Sequence, residues 1–133
     1  MQAKVFGFVC VLAWFMAAPV AAQEGYPLIG TWSGEWGQSP KQRTQVLIVM
    51  EWDGEILSGI INPGFPDAAP IRVGKLDSTK WTVHLEAEFK DERGNPVRIV
   101  IDGKLENIGS YNRTLSGTWI QGEVKGDFKL TRE

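Results

Sequence analysis

His84, Glu86 and Glu88 stand at alternate positions in the segment "WTVHLEAEF", where apolar and polar residues take turns. On a β-strand this spacing puts the three side chains on one face, about 7 Å between neighbours. An imidazole with two carboxylates could hold a metal ion or move a proton. The separation is too wide for one strand to chelate an ion alone, so adjacent strands would have to supply further oxygen ligands. The plainer reading is the polar face of a half-buried strand. The sequence favours that reading, and no metal is expected. Glu51, Asp53 and Glu55 crowd a second acidic stretch, which Asp53-Gly54 marks as a solvated hairpin turn. There is no G-x-S-x-G elbow, no Walker loop and no dinucleotide fingerprint. The one histidine excludes a multi-histidine metal site, and the one cysteine, Cys10, lies in the N-terminal apolar run. No cofactor is expected. An enzyme working on apolar substrates inside a barrel would need inward-facing ionisable groups, which this alternation hardly provides. The expectation is a protein that binds and does not catalyse.

Aromatic residues are the stronger signal, and strands must position them. After Gly30 the chain shows period 2 almost throughout. Strands are predicted at Ile29–Trp36, Thr44–Trp52, Glu55–Ile61, Ile71–Leu76, Lys80–Phe89, Val97–Leu105, Arg113–Ile120 and Glu123–Arg132. The loop "NPGFPDAAP", Asn62 to Pro70, carries three prolines that a central strand would not accept. Strands at this spacing, joined by short turns without helices, predict an all-β fold. The preferred form is an antiparallel up-and-down eight-stranded barrel, whose closure removes both sheet edges. A β-sandwich is the alternative, but Greek-key crossings would want a longer connection.

The N-terminus reads as a separate unit. Met1 to Lys4 is short and basic, Val5 to Met16 is apolar, and Val20 and Ala22 are small residues at the −3 and −1 positions of a cleavage site. That pattern predicts a secretory signal peptide over residues 1–22 and a barrel domain over residues 23–133. The apolar run falls short of the ~20 residues of a membrane span, so no stable membrane insertion is expected after cleavage. The protein is expected to be exported, periplasmic or secreted. The formal charge is −2, and −3 once Lys4 leaves with the signal. Nothing here is basic enough for nucleic acid. No cysteine remains beyond Cys10, so stability must come from burial rather than disulfides. Asn112-Arg113-Thr114 is a formal glycosylation sequon.

Gly-Thr-Trp occurs twice, at Gly30–Trp32 and Gly117–Trp119, and Leu57–Ile60 echoes Leu115–Thr118. In a closed barrel the last strand lies between the first and the seventh, so both copies flank one neighbour. Internal duplication and convergence on good barrel residues both explain the repeat. Alternation along the last strand turns Val124, Gly126, Phe128, Leu130 and Arg132 inward and predicts that Arg132 stacks on Trp32 as a structural closure.

A Gly-x-Trp on the first strand with a basic residue across it on the last resembles the calycins, the lipocalin and avidin superfamily. Gly30-Thr31-Trp32 and Arg132 carry the likeness. The ending "LSGTWIQGEVKGDFKLTR" is also similar to that of small exported bacterial β-domains with an LSGTW…GDF.L.R pattern. The resemblance implies a calycin-like barrel over nearly all of residues 23–133. It implies no particular ligand, because lipocalin disulfides and the polar biotin contacts of avidin are not matched.

Strand directions put the first, third, fifth and seventh turns at one end, three of them long. Trp36, Phe89 and Trp119 fall near that end, with Phe65 in the proline-rich loop above them. One reading is a filled core. The other is a shallow aromatic cup with Phe65 on its lid, where inward-facing Gly59, Gly103, Gly117 and Gly126 leave room. The leading functional expectation is therefore a small apolar or aromatic ligand at the loop-rich mouth, contacted by Trp36, Phe65, Phe89 and Trp119. The alternative is a protein-interaction module, an inhibitor or envelope-assembly partner, using loops or the outer face of the second and third strands. "VLIVM" and "ILSGII" are apolar on both faces, so Leu47 and Val49 would support self-association unless the Asn62–Pro70 loop folds back over them.

Overall fold

A computed structural model describes residues 26–133. The expected signal peptide, with its cleavage site, lies outside the described residues. Tyr26–Leu28 form a short 3-10 turn, followed by β1 (Gly30–Ser39), β2 (Gln42–Trp52), β3 (Leu57–Ile61), β4 (Ala69–Asp77), β5 (Thr82–Lys90), β6 (Pro96–Glu106), β7 (Thr114–Gln121) and β8 (Val124–Arg132). Every strand pairs antiparallel with its sequence neighbours, and β1 pairs with β8, so the sheet closes into an up-and-down barrel.

Alternation dictates the core. Val46, Ile48 and Met50 of β2, Val83, Leu85 and Ala87 of β5, and Phe128 and Leu130 of β8 are buried, while the residues between them face outward. Trp32, Trp36 and Trp119 join them inside. An indole removed from water takes away on the order of 200 Å² of surface, which at ~25 cal/mol per Å² is about 5 kcal/mol before ordering costs. Leu28, from the 3-10 turn, plugs the end at which β1 begins, and its carbonyl accepts the Trp32 indole N–H at 2.8 Å.

Four expectations change. The β1–β2 connection is a tight turn, so only the 62–68 and 91–95 loops are long at that end. The opposite end carries the 53–56, 78–81 and 107–113 connections, and the two ends are about equally looped. Trp81 belongs to the turn before β5, with a φ of 55°, and its carbonyl accepts the Leu105 N–H at 2.8 Å. Pro70 lies within β4, opposite Ile60. Proline is tolerated there because it is the second residue of the strand and β3 meets β4 through only two register pairs. The glycines thought to leave room mark close approach instead. A Cβ on Gly103 would come within 2.8 Å of the Phe128 ring, and one on Gly117 within 2.1 Å of the Asp102 carbonyl. Gly59 and Gly126 similarly face the Val49 and Gly37 carbonyls.

Candidate functional site

The four expected ligand contacts do not converge. Trp36 and Trp119 stack, with ring centroids 5.4 Å apart and planes 13° apart, and Phe128 packs edge-on to Trp119 at 5.9 Å. Trp119 is 1% exposed and Trp36 8%. The pair fills the barrel end, in line with the filled-core alternative and not with an open cup. Trp119 donates its indole N–H to Gln121 Oε1 at 3.2 Å, which satisfies its one polar atom. Phe89 is half-buried at the edge of the core. Outside the stack a depression of about 330 Å³ lies at the β1–β2 hairpin, lined by Trp36, Arg43, Thr44 and Val124.

Phe65 stands apart from this group. Asn62 ties its loop to the barrel wall: its backbone N–H donates to Leu47 O at 2.7 Å, and its Oδ1 accepts the Leu47 N–H at 3.0 Å. Asn62 takes a φ of 51°, a conformation asparagine tolerates well, and turns the chain back. The Phe65 N–H reaches Asn62 O and the Ala68 N–H reaches Phe65 O, closing two short turns. Asp67 Oδ2 accepts the Asn62 amide at 3.1 Å. The loop thus folds along the outer wall. Together with Ser33, Gln45 and Leu47 it encloses a groove of about 390 Å³, bordered by Asn62, Phe65 and Asp67. Phe65 is 60% exposed. Leu47, which borders this groove, and Val49 are half-buried.

Trp32 and Arg132 are direct cross-strand partners. The guanidinium, however, lies over the Tyr111 ring, 5.6 Å from its centroid, and Arg132 Nε donates to Ile29 O at 2.7 Å. The cation–π partner is therefore Tyr111 from the 107–113 loop, where the sequence pointed to Trp32. Gly30 is wedged against the same guanidinium, where an added Cβ would lie 3.0 Å from Arg132 Nε.

The acidic face of β5 resolves into pairs. His84 Nδ1 meets Asp102 Oδ1 at 2.6 Å and Nε2 meets Glu86 Oε2 at 2.8 Å. Glu86 also binds Arg98, and Glu88 pairs with Arg72 at 3.2 Å. Hydrogen bonds to Glu86 and then Asp102 raise the His84 pKa above its ordinary value, against a smaller desolvation effect. The Glu86 carboxyl is held below its usual range by His84 and Arg98. With both ring nitrogens engaged by carboxylates, the imidazole has no free lone pair to accept a proton from a nucleophile. Among the described residues no group of three His, Cys, Asp or Glu side chains could hold a metal ion.

The sequence missed the groove because its parts come from Ser33, Leu47 and Asn62–Asp67 on three separate segments. The asparagine opening a proline- and glycine-rich loop was the one available signal. No protein-family model, curated protein or solved structure matches the chain.

Proposed function

We propose that the protein is an exported, calycin-like binding module that recognises an apolar side chain of a partner polypeptide in the groove beneath Phe65. The observation that carries this reading is the exposed phenyl ring of Phe65 bordering one groove with Leu47, on a loop that the Asn62 hydrogen bonds tie to Leu47. An exposed aromatic on a pinned loop offers contact area at little ordering cost. Asp67 is the one charged residue lining the groove, and it favours a partner with a Lys or Arg beside its apolar side chain. The signal-like pattern of residues 1–22 supports export, and the Gly30-Thr31-Trp32 and Arg132 pairing supports the calycin likeness.

Titrating N-acetylated tripeptide amides tests the reading, with phenylalanine or alanine before a lysine. The phenylalanine peptide should bind more tightly, and Phe65→Ala should abolish the difference. Equal binding of both peptides would contradict it. A second copy of the chain docking through Leu47 and Val49 would instead appear as concentration-dependent size.

A second reading keeps a small apolar or aromatic ligand at the barrel end, and the depression beside Trp36 and Val124 favours it. Such a ligand would contact Trp36 from outside the stack, or would have to part Trp36 from Trp119.

A further inference from the structure

A larger groove, about 520 Å³, crosses the outer face of β4 to β7 on the other side of the barrel wall from the core. Two outward rows of side chains border it. One runs Lys75, His84, Asp102, Thr118 across the four strands, and the other runs Asp77, Thr82, Lys104, Ser116. Between the rows the floor is main chain at Gly103 and Gly117, which are register partners. Leu76 and Val83 continue this inward-facing row, and a Cβ on Gly103 would itself point at the Phe128 ring in the core, so the outward main chain is open to a flat ligand. The groove lies within the usual volume range of small-ligand sites.

The charges are already sorted. Asp102 is taken up by His84, and Asp77 accepts the Thr79 N–H and hydroxyl of its own turn. Neither Lys75 nor Lys104 pairs with a carboxylate among the described residues, and both are exposed. The side chains left to meet a ligand are two ammonium groups and the hydroxyls of Thr82, Ser116 and Thr118. The only aromatic ring lining the groove is the His84 imidazole, held between Asp102 and Glu86, and no Trp, Tyr or Phe offers a stacking platform for a nucleobase. Ammonium groups suit an anion, hydroxyls suit hydroxyls, and the glycine floor suits the C–H face of a ring.

We propose that this groove is a binding site for an acidic sugar, a polyhydroxylated ring bearing a carboxylate, which Lys75 and Lys104 hold by charge and Thr82, Ser116 and Thr118 orient by hydrogen bonds. The site is independent of the Phe65 groove.

His84 gives the site a pH response. It faces Lys75 from β4, Glu86 on its own strand, and Asp102 of β6. Asp77, Lys104 and Arg98 complete the charged groups around it. While the imidazole is charged it offsets Asp102, and its deprotonation leaves that carboxylate to repel an anionic ligand. Binding weakens as pH rises through the elevated His84 value.

The sole histidine makes the test direct. The purified protein is titrated with digalacturonate, a neutral galactose disaccharide and acetate, while the imaging signal is the His84 ring in ¹H–¹⁵N spectra and affinity is read by calorimetry. Digalacturonate should shift the His84 resonances and bind most tightly. The Lys75→Met/Lys104→Met pair should weaken it about tenfold or more, with the amide spectrum otherwise retained. Acetate binding as tightly would reduce the site to a charge effect and overturn the sugar assignment. The neutral disaccharide binding as tightly would remove the role of the lysines. An unmoved His84 signal would place binding elsewhere.

Discussion

Trp36 and Trp119 lie face to face, 5.4 Å between ring centroids, at the barrel end where alternation alone leaves a filled core and an aromatic cup both open. The stack comes from β1 and β7, which do not pair with each other and are separated by β8. It is therefore a contact across the core, and it fills that end together with Phe128. Removing one ring should act as a core truncation. Trp119→Ala is expected to cost about 3–5 kcal/mol, read as a lowered urea midpoint. An unchanged midpoint would mean that the rings do not meet in solution.

Arg132→Ala should lower stability by about 2–4 kcal/mol, the sum of a charge-assisted hydrogen bond to Ile29 O and an exposed cation–π contact with Tyr111. Tyr111→Leu should cost about 0.5–1 kcal/mol, the cation–π part alone. Urea unfolding of both variants separates the contributions. Equal losses would assign the whole effect to Tyr111.

Gly117→Ala should destabilise by about 1–3 kcal/mol, because the new methyl would strike the Asp102 carbonyl and β6 would have to move. Gly109→Ala, where a Cβ meets nothing within 4 Å, is the control and should stay near neutral. Thermal melts of the two proteins decide it, and similar midpoints would contradict the close β6–β7 approach.

Stability should also depend on pH through His84. Its folded-state pKa is raised, so the stabilisation is fully present below the unfolded-state value of about 6.5 and is lost as pH rises through the folded-state value. Glu86 runs the other way. Its folded-state pKa is lowered, so its contribution is present above the unfolded-state value and is lost as pH falls through the folded-state one. The imidazole should titrate above about 6.5 by NMR, and Glu86→Gln together with Asp102→Asn should bring it back. A wild-type midpoint at or below the ordinary value would contradict the clamp.

The strand plan was legible because alternation and turn residues are local signals. Val83, Leu85 and Ala87 needed only period 2 to be placed inside, and Asp53-Gly54 only its turn chemistry. What failed was information that register supplies. His84 meets Asp102 because β5 pairs with β6 in one register, eighteen residues apart in sequence. Gly103 and Gly117 looked like vacancies because a missing side chain reads as space, whereas a backbone or the Phe128 ring occupies it. Phe65 was placed over the mouth by loop length alone, since nothing local says that Asn62 will bond to Leu47. Tyr111 displaced Trp32 as the ring under Arg132 because a loop side chain has no strand parity to betray it.

Recognition at the Phe65 groove can be checked by mapping where an aromatic probe lands. N-acetylphenylalaninamide is titrated into ¹⁵N-labelled protein, with the Leu47, Asn62, Phe65 and Asp67 amides reporting on the groove and the Trp36 and Trp119 indole N–H signals reporting on the barrel end. Saturable shifts are expected at the four amides, with quiet indoles. Indole shifts with unmoved groove amides would contradict recognition at the groove and assign binding to the barrel end.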